Sequence, residues 1–365
     1  MKLRAALSGL LPLFAIGVLA LSVGVTLAVA GDTHGYDFHA YYDAAVRVLH
    51  GQSAYDQSFD LAGAGGLFFY PPTFIPLVLP FGLLPVDAAT WAWTGIMLAA
   101  FAGAVVLMPV GARTRWWIVL LAGLSWPFIH NIKLGQVGPL LLLLFAIAWR
   151  WRDRPVPFGI ASGLGAAIKV QPGLLLGWAL LRRQWMAVVV GLLTLLALAA
   201  VALLFTGPGA WPDFAGLLSR VSDPIATPQN CTPGAIAWQL GASREGALLV
   251  QLLSTVLVLG VFVAAAIWLP AEASLMVAII ATQLVSPILW DHYAIVLLLP
   301  TAWLLERGHG WAVLIPLATP VLLVGTEPAA VYPIVYALTL LAVAAEGYRD
   351  RLGAVRVTTS VPARV

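Results

Sequence analysis

Residues 5–29 read AALSGLLPLFAIGVLALSVGVTLAV without a charge, and 31–43, GDTHGYDFHAYYD, follow at once with Asp32, His34, Asp37, His39 and Asp43. An apolar run of about 25 residues crosses the roughly 30 Å hydrocarbon core as one helix. Lys2 and Arg4 precede the run, and Ala28-Val29-Ala30 imitates a cleavage site. A signal-peptide core is only about 7–15 residues long. The run therefore reads as an uncleaved first span with its N-terminus in the cytoplasm and the acid and histidine cluster on the outer side.

The rest of the chain continues this pattern. Of 365 residues, 61% are hydrophobic and only 10% charged, against about 25% charged in a soluble domain. The mean hydropathy is +0.94. Such a chain has lipid as its solvent, so the expected fold is an all-α polytopic membrane protein. The net charge of +3 does not point to nucleic acid, because the basic residues form no patch. Cys231 is the only cysteine, which excludes an internal disulfide and a cysteine-rich metal site.

Further full-length spans are expected at about 86–110, 186–206 and 246–269. Three other apolar stretches are interrupted. Residues 115–149 contain His130-Asn131-Ile132-Lys133, residues 156–184 contain Lys169-Val170-Gln171-Pro172, and residues 272–305 contain Ser286-Pro287 and Asp291-His292. Each reads as a hairpin of two short arms. An arm of about 14 residues rises about 21 Å, so its polar tip stays sunk below the membrane surface. That is tolerable only in a protein-walled, wetted cavity. A last pair, about 309–326 and 331–346, is joined by Thr326-Glu327-Pro328. The window count is about twelve spans.

With that topology Arg47, Lys133, Lys169, Arg220 and Arg244 fall outside, and the rest of the 19 basic residues fall inside, as the positive-inside rule requires. The expected organisation is a transmembrane domain over 1–348 and a polar, unstructured cytoplasmic tail over 349–365. The chain is expected to sit in a plasma membrane, with both termini cytoplasmic. Two outer segments, 30–85 and 207–245, are long enough to carry structure. In the first, Phe38, Tyr41, Tyr42, Ala45, Val46 and Leu49 form one helical stripe opposite His39, Asp43, Arg47 and His50, with Gly51 as a stop. This predicts an amphipathic helix lying on the outer leaflet. The stretch 73–85 is expected to be interfacial or partly re-entrant. Residues 207–245 show no strong pattern.

Ionisable groups at membrane depth are functional candidates by default. Asp37, Lys133, Gln136, Lys169, Gln171, Asp291 and His292 all lie on the outer side and are expected to share one cavity. Asp37 has a competing role as a helix N-cap. Asp43 and Arg47 read as a surface ion pair. His34 and His39 beside Asp32 and Asp37 match no zinc spacing, so no metal or other cofactor is expected and activity should survive a chelator. A carboxylate, a lysine and a histidine facing outward suit deprotonation of an acceptor hydroxyl and stabilisation of a departing phosphate.

Gly35-Tyr36-Asp37-Phe38-His39-Ala40-Tyr41-Tyr42, Gly51, Tyr55 and Tyr70-Pro71-Pro72 resemble the first outer loop of glycosyltransferase family 87. This is a family of GT-C membrane glycosyltransferases that includes polyprenol-phosphate-mannose-dependent mannosyltransferases. Gly135-Gln136, Lys169-Val170-Gln171-Pro172, Ser286-Pro287 and Trp290-Asp291-His292 extend the resemblance across most of the chain. It implies inverting transfer from a polyprenyl-phosphate sugar to an acceptor hydroxyl on a glycan or glycolipid, outside the membrane. It also implies that Asp37 is the general base and that His292 matches the first of a histidine pair. The second position of that pair is Tyr293 here. Lys169 is assigned to the donor phosphate, Tyr70 to substrate binding, and Asp32, His34 and His39 to supporting roles. A transporter or lipid flippase is the alternative, but it would show internal repeats and breaks near mid-bilayer. A lipid-linked polysaccharide polymerase would show arginine-rich outer loops.

Overall fold

A computed structural model describes residues 2–55, 67–221, 223, 229–323 and 329–359, with the backbone path alone for residues 2–8, 221, 323 and 354–359. Among them the protein is all helical. Five helices are long and apolar enough to cross a membrane: Gly9–Thr33, Val86–Leu107, Trp185–Thr206, Arg244–Trp268 and Val331–Gly353. The pair Trp126–Leu134 and Gly138–Arg150, bent by 120°, is either one broken span or a re-entrant loop. The count of about twelve took every short arm as a separate crossing. By length and composition the structure supports five or six.

These helices form where charges fall only near the ends of the apolar run; Pro12 lies inside the first of them without breaking it. Two of them, α10 (Trp185–Thr206) and α13 (Arg244–Trp268), have only 11% of their apolar window buried in the protein. Leu192, Leu193, Leu196, Leu204, Leu253 and Leu257 stand exposed along them. In water so much bare apolar surface would drive association; in a bilayer it is the lipid-facing wall. The four expected full-length runs correspond to α1 (Lys2–Ala30), α4 (Val86–Leu107), α10 and α13.

The broken stretches fold as short arms. They are α5 (Ala112–Leu124) with α6 (Trp126–Leu134) and α7 (Gly138–Arg150), then α8 (Pro155–Ile168) with α9 (Leu174–Leu181). The third is α14 (Ala271–Leu284), followed after a 3₁₀ turn at Asp291–Leu297 by α15 (Leu298–Glu306). Prolines open α6, α7 and α8 at Pro127, Pro139 and Pro155, where the missing amide hydrogen is harmless.

Several expectations are corrected. The helix α2 (Tyr36–Leu49) does not lie on lipid. Its buried face, Phe38, Tyr41, Ala44, Ala45 and Val48, packs on protein, while Leu49 is exposed. The covering surface is the broken segment Pro72–Leu83, with α3 (Ile75–Val78) between two 3₁₀ turns, together with α4 and α6. Prolines 72, 76 and 80 keep that segment from being one regular helix. Residues 207–245 carry pattern after all: α11 (Ala210–Val221) is strongly amphipathic and α12 (Pro233–Gln239) is capped by Thr232. Of the expected span 309–326, the described part, 309–323, is no regular span; it holds α16 (Leu314–Leu317) between 3₁₀ turns at Gly310–Val313 and Val321–Leu323. Residue 349 does not open an unstructured tail, because α17 continues over Val331–Thr359. Thr326-Glu327-Pro328 and residues 360–365 lie outside the described residues.

Candidate active site

The start of α2 and the end of α6 meet through two glycines. Gly135 ends α6 at φ +69° and Gly35 precedes α2 at φ +74°, a region open to glycine and strained for other residues. The Gly35 amide donates to the Lys133 carbonyl at 2.8 Å. A Cβ on Gly135 would stand 2.7 Å from Phe38 Cβ, and one on Gly35 would stand 2.5 Å from Thr90 Cγ2. Trp93 Nε1 donates to the Gly135 carbonyl at 2.7 Å and holds the turn. Lys133 thus contributes through its backbone, and its side chain is half-buried.

This approach sets Asp37 against Gln136. The N-cap of α2 is Gly35 and makes no side-chain cap bond, so Asp37, in the first turn, is not the cap. Its Oδ2 accepts instead from Gln136 Nε2 at 2.6 Å. The other end of the buried amide is fully engaged: Gln136 Oε1 accepts from Tyr70 at 2.9 Å and from Tyr41 at 3.1 Å, and the two phenols are 2.7 Å apart. With Oε1 occupied by donors, the amide has only its NH₂ to offer a carboxylate. Tyr55 fixes this layer further by donating to the Tyr70 carbonyl at 2.8 Å.

Lys169 enters from the break between α8 and the 3₁₀ turn Gln171–Gly173. Its Nζ lies 3.7 Å from the centre of the Tyr293 ring and 5.3 Å from that of Tyr70. Both are cation–π distances. Among the described residues no carboxylate comes within ion-pair distance of it, and the carboxylate whose charge bears on it is Asp37. The Asp37 charge also reaches Tyr70, His292 and Tyr293.

Lys169, Tyr70 and Tyr293 line a cavity of about 440 Å³. Gln171 donates to Ser286 at 2.9 Å across it, which joins the Lys-Val-Gln-Pro and Ser-Pro motifs. The rest of the wall is largely apolar: Phe69, Pro71, Val170, Phe214, Leu218, Pro287 and Trp290. Such a cavity is of small-molecule size, apolar with a few convergent polar groups. Phe214 and Leu218 belong to α11, the amphipathic helix that the sequence reading missed. A second cavity of about 10 Å³ lies behind, lined among others by Asn131, Gln136, Lys169, His292 and Tyr293. That volume suits about one water.

His292 is 4% exposed, and among the described residues neither ring nitrogen has a hydrogen-bond partner. Its neighbour Asp291 is fully engaged. Asp291 Oδ2 accepts from Trp126 Nε1 at 2.7 Å and pairs with His130 Nδ1 at 2.8 Å. Asp291 Oδ1 accepts from the His292 amide at 2.7 Å and lies 3.3 Å from His292 Nδ1. His130 and Trp126 had not been singled out as site residues; the signal available was their i, i+4 spacing on α6, which stacks the two rings 4.5 Å apart. His130, Asp291 and His292 also form a group with one ligand atom each within 4.8 Å of one another. Among the described residues, Asp32, Asp37, His34 and His39 form no such group.

The supporting residues of the first loop point elsewhere. His34 Nε2 meets Thr94 Oγ1 at 3.1 Å and His39 Nε2 meets Thr90 Oγ1 at 3.3 Å, both on α4. Burial, and then the neighbouring His39, push the His34 imidazole below its ordinary value. Asp32 is exposed in the 3₁₀ turn Gly31–Thr33. Arg47 Nε donates to the Ser53 carbonyl at 2.9 Å.

The sequence of the protein matches the profile of glycosyltransferase family 87 over residues 68–287, more than half of the chain. It is 29% identical over 357 residues to the polyprenol-phosphate-mannose-dependent α-(1-2)-phosphatidylinositol pentamannoside mannosyltransferase of Mycobacterium tuberculosis, covering 86% of this chain and 80% of the relative. The corresponding enzyme of Mycolicibacterium smegmatis is 26% identical, with 89% and 85% covered. An α-(1->3)-arabinofuranosyltransferase of the same organism is 27% identical over 49% of this chain and 43% of its own length. No solved structure matches the chain. The chain is a polytopic membrane protein that belongs to glycosyltransferase family 87.

Proposed function

We propose that the protein transfers a hexose, mannose by likeness to its relatives, from a polyprenyl-phosphate donor to an acceptor hydroxyl on a glycan or glycolipid, with inversion. The acceptor oxygen attacks the anomeric carbon on the face opposite the phosphate. Its proton passes to Asp37 as the carbon–oxygen bond to phosphate breaks. Polyprenyl phosphate leaves with its negative charge facing Lys169, and His292 assists. Tyr70 and Gln136 hold Asp37 in place, and Gln171 shapes the cavity wall.

One observation carries this reading. Lys169 presents an ammonium to an apolar cavity, braced by two aromatic faces and without a carboxylate at ion-pair distance among the described residues. A cation in such a place is a site for an incoming anion. The apolar wall around it suits the lipid end of the donor, and the bonded Asp37–Gln136 pair next to it supplies a base. In this reading the cavity opens to the outer face of a bacterial plasma membrane and the arginine-rich end faces the cytoplasm. The short arms bring the total to about twelve crossings, and 1–348 act as one catalytic unit. No metal is required.

The test is Asp37→Asn, assayed with polyprenyl-phosphate mannose as the donor and lipids of the producing strain as the acceptor. Loss of a positioned base costs about 10²–10⁴-fold, so turnover should fall by about that factor with the thermal unfolding profile unchanged. Unchanged turnover would remove Asp37 from the chemistry.

A further inference from the structure

The Asp291 carboxylate gathers groups from two elements that the sequence separates by about 160 residues. From α6 come Trp126 Nε1 and His130 Nδ1, and from the turn after α14 come the amide and the ring of His292. Asn131, the next residue of α6, adds a bond from Nδ2 to the His292 carbonyl at 2.6 Å. His292 is thereby held on both sides of its backbone, and its ring lies beside the small cavity it shares with Lys169 and Gln136.

We propose that His130 and Asp291 are positioning residues for His292: the carboxylate, oriented by Trp126 and His130, faces the Nδ1 side of the His292 ring from 3.3 Å, short of a formed hydrogen bond, and leaves Nε2 for the departing phosphate. The inference rests on the transfer reading above. It treats the His130–Asp291–His292 group as a hydrogen-bonded assembly rather than a metal centre. The carboxylate oxygens argue for that, since both are already taken by N–H donors from Trp126, His130 and the His292 amide. A metal would have to displace them. Partners of this kind fix ring orientation and tautomer; at metal-bound histidines their loss costs about 10–100-fold, and the same scale is expected here. His130 is the informative member. It is partly exposed while His292 is buried, and their ring centres are 5.8 Å apart at 81°. Its hydrogen bond to the group runs through Asp291.

The experiment compares full-length wild type, His130→Phe, His130→Asn and Asp37→Asn in nanodiscs, with polyprenyl-phosphate mannose as donor. Phenylalanine keeps the stack on Trp126 but cannot donate. His130→Phe should lower kcat about 10–100-fold with donor KM little changed, and should displace the pH profile of kcat. His130→Asn, whose amide can donate from nearly the place of Nδ1, should recover most of kcat. If His130→Phe does not insert, Trp126→Phe removes the other donor to the same oxygen and should also lower kcat. Wild-type kcat and pH profile in His130→Phe, with Asp37→Asn inactive, would overturn this inference and leave the transfer reading standing. Activity in Asp37→Asn would overturn both. One metal ion per wild-type chain by mass spectrometry, lost in His130→Phe, would replace the assembly by a metal centre.

Discussion

The two ends of the helical bundle use the same kinds of residues for opposite purposes. At the arginine-rich end, Glu272 lies 3.7 Å from Arg152 and 3.6 Å from Arg307 and accepts from Trp149 Nε1 at 2.8 Å. Arg307 also pairs with Asp350 at 2.9 Å and lies over the Trp303 ring at 4.3 Å. Glu306 accepts from the Gly111 amide and from Thr114. Glu272, Arg152, Arg307 and Asp350 at this end are answered by opposite charges, and helices α7, α14, α15 and α17 are tied together. At the other end Lys169 is braced by phenol rings and Asp37 by an amide. Rings and amides hold a charged group in position without neutralising it. The first end is therefore complete as it stands, whereas the second keeps its charges available for a ligand.

The contrast can be broken at its most exposed point by Lys169→Met, which keeps the length and removes the charge. A charge-assisted contact to phosphate is worth about 1.5–3 kcal/mol, so donor KM should rise by about 10–100-fold in a titration of polyprenyl-phosphate mannose, with protein yield unchanged. An unaltered donor KM would make Lys169 a structural cation like Arg307.

A smaller effect is expected from Gly135→Ala. The new Cβ meets Phe38 Cβ at 2.7 Å and the residue keeps a positive φ. The combined strain costs about 1–3 kcal/mol. If the glycine contact sets the Asp37–Gln136 distance, kcat should fall by more than the loss of stability explains, read as turnover per folded molecule below the melting transition. A variant that melts earlier but turns over normally would show that the turn tolerates slack.

The smallest effect on activity belongs to Glu272→Gln. It leaves Arg152 and Arg307 without their shared partner, although Arg307 keeps Asp350. With these groups about a quarter exposed, solvent screening limits the loss to about 1 kcal/mol. Thermal unfolding should shift down by a few degrees at most, with kcat and donor KM at wild-type values. A marked fall in turnover would mean that the two ends are coupled and that the division of labour is wrong.

How far the site was legible follows from the same contrast. Gln136, Lys169, Gln171 and His292 stood out because polar residues at the tips of short apolar arms have no reason to be there unless they face a cavity, and Asp37 stood out in the acid and histidine cluster after the first span and by its match to the family's loop aspartate. Trp126, His130 and Tyr41 did not stand out, because an aromatic or histidine on a helix is ordinary until its partner is known. The N-cap reading of Asp37 failed because Gly35, at positive φ, occupies the cap position itself. The lipid-surface reading of α2 failed because an apolar stripe does not say whether lipid or protein will cover it.

Composition and the lengths of the apolar runs determined by themselves that this chain lives in a membrane, where its long spans lie, and that the interrupted stretches end in polar tips. Burial of an apolar run is a local property that any sufficiently long window reveals. Which tips meet was decided only by tertiary structure. The approach of Gly35 to Gly135, the Gln136 bond to Asp37 and the gathering of Trp126, His130 and His292 on Asp291 each join residues distant in sequence. Hydrogen bonds are short and directional, so they depend on how helices pack and not on the pattern of any one helix. The acid and histidine cluster that follows the first span therefore resolves into Asp37, held by an amide in the site, and histidines that bond the threonines of α4.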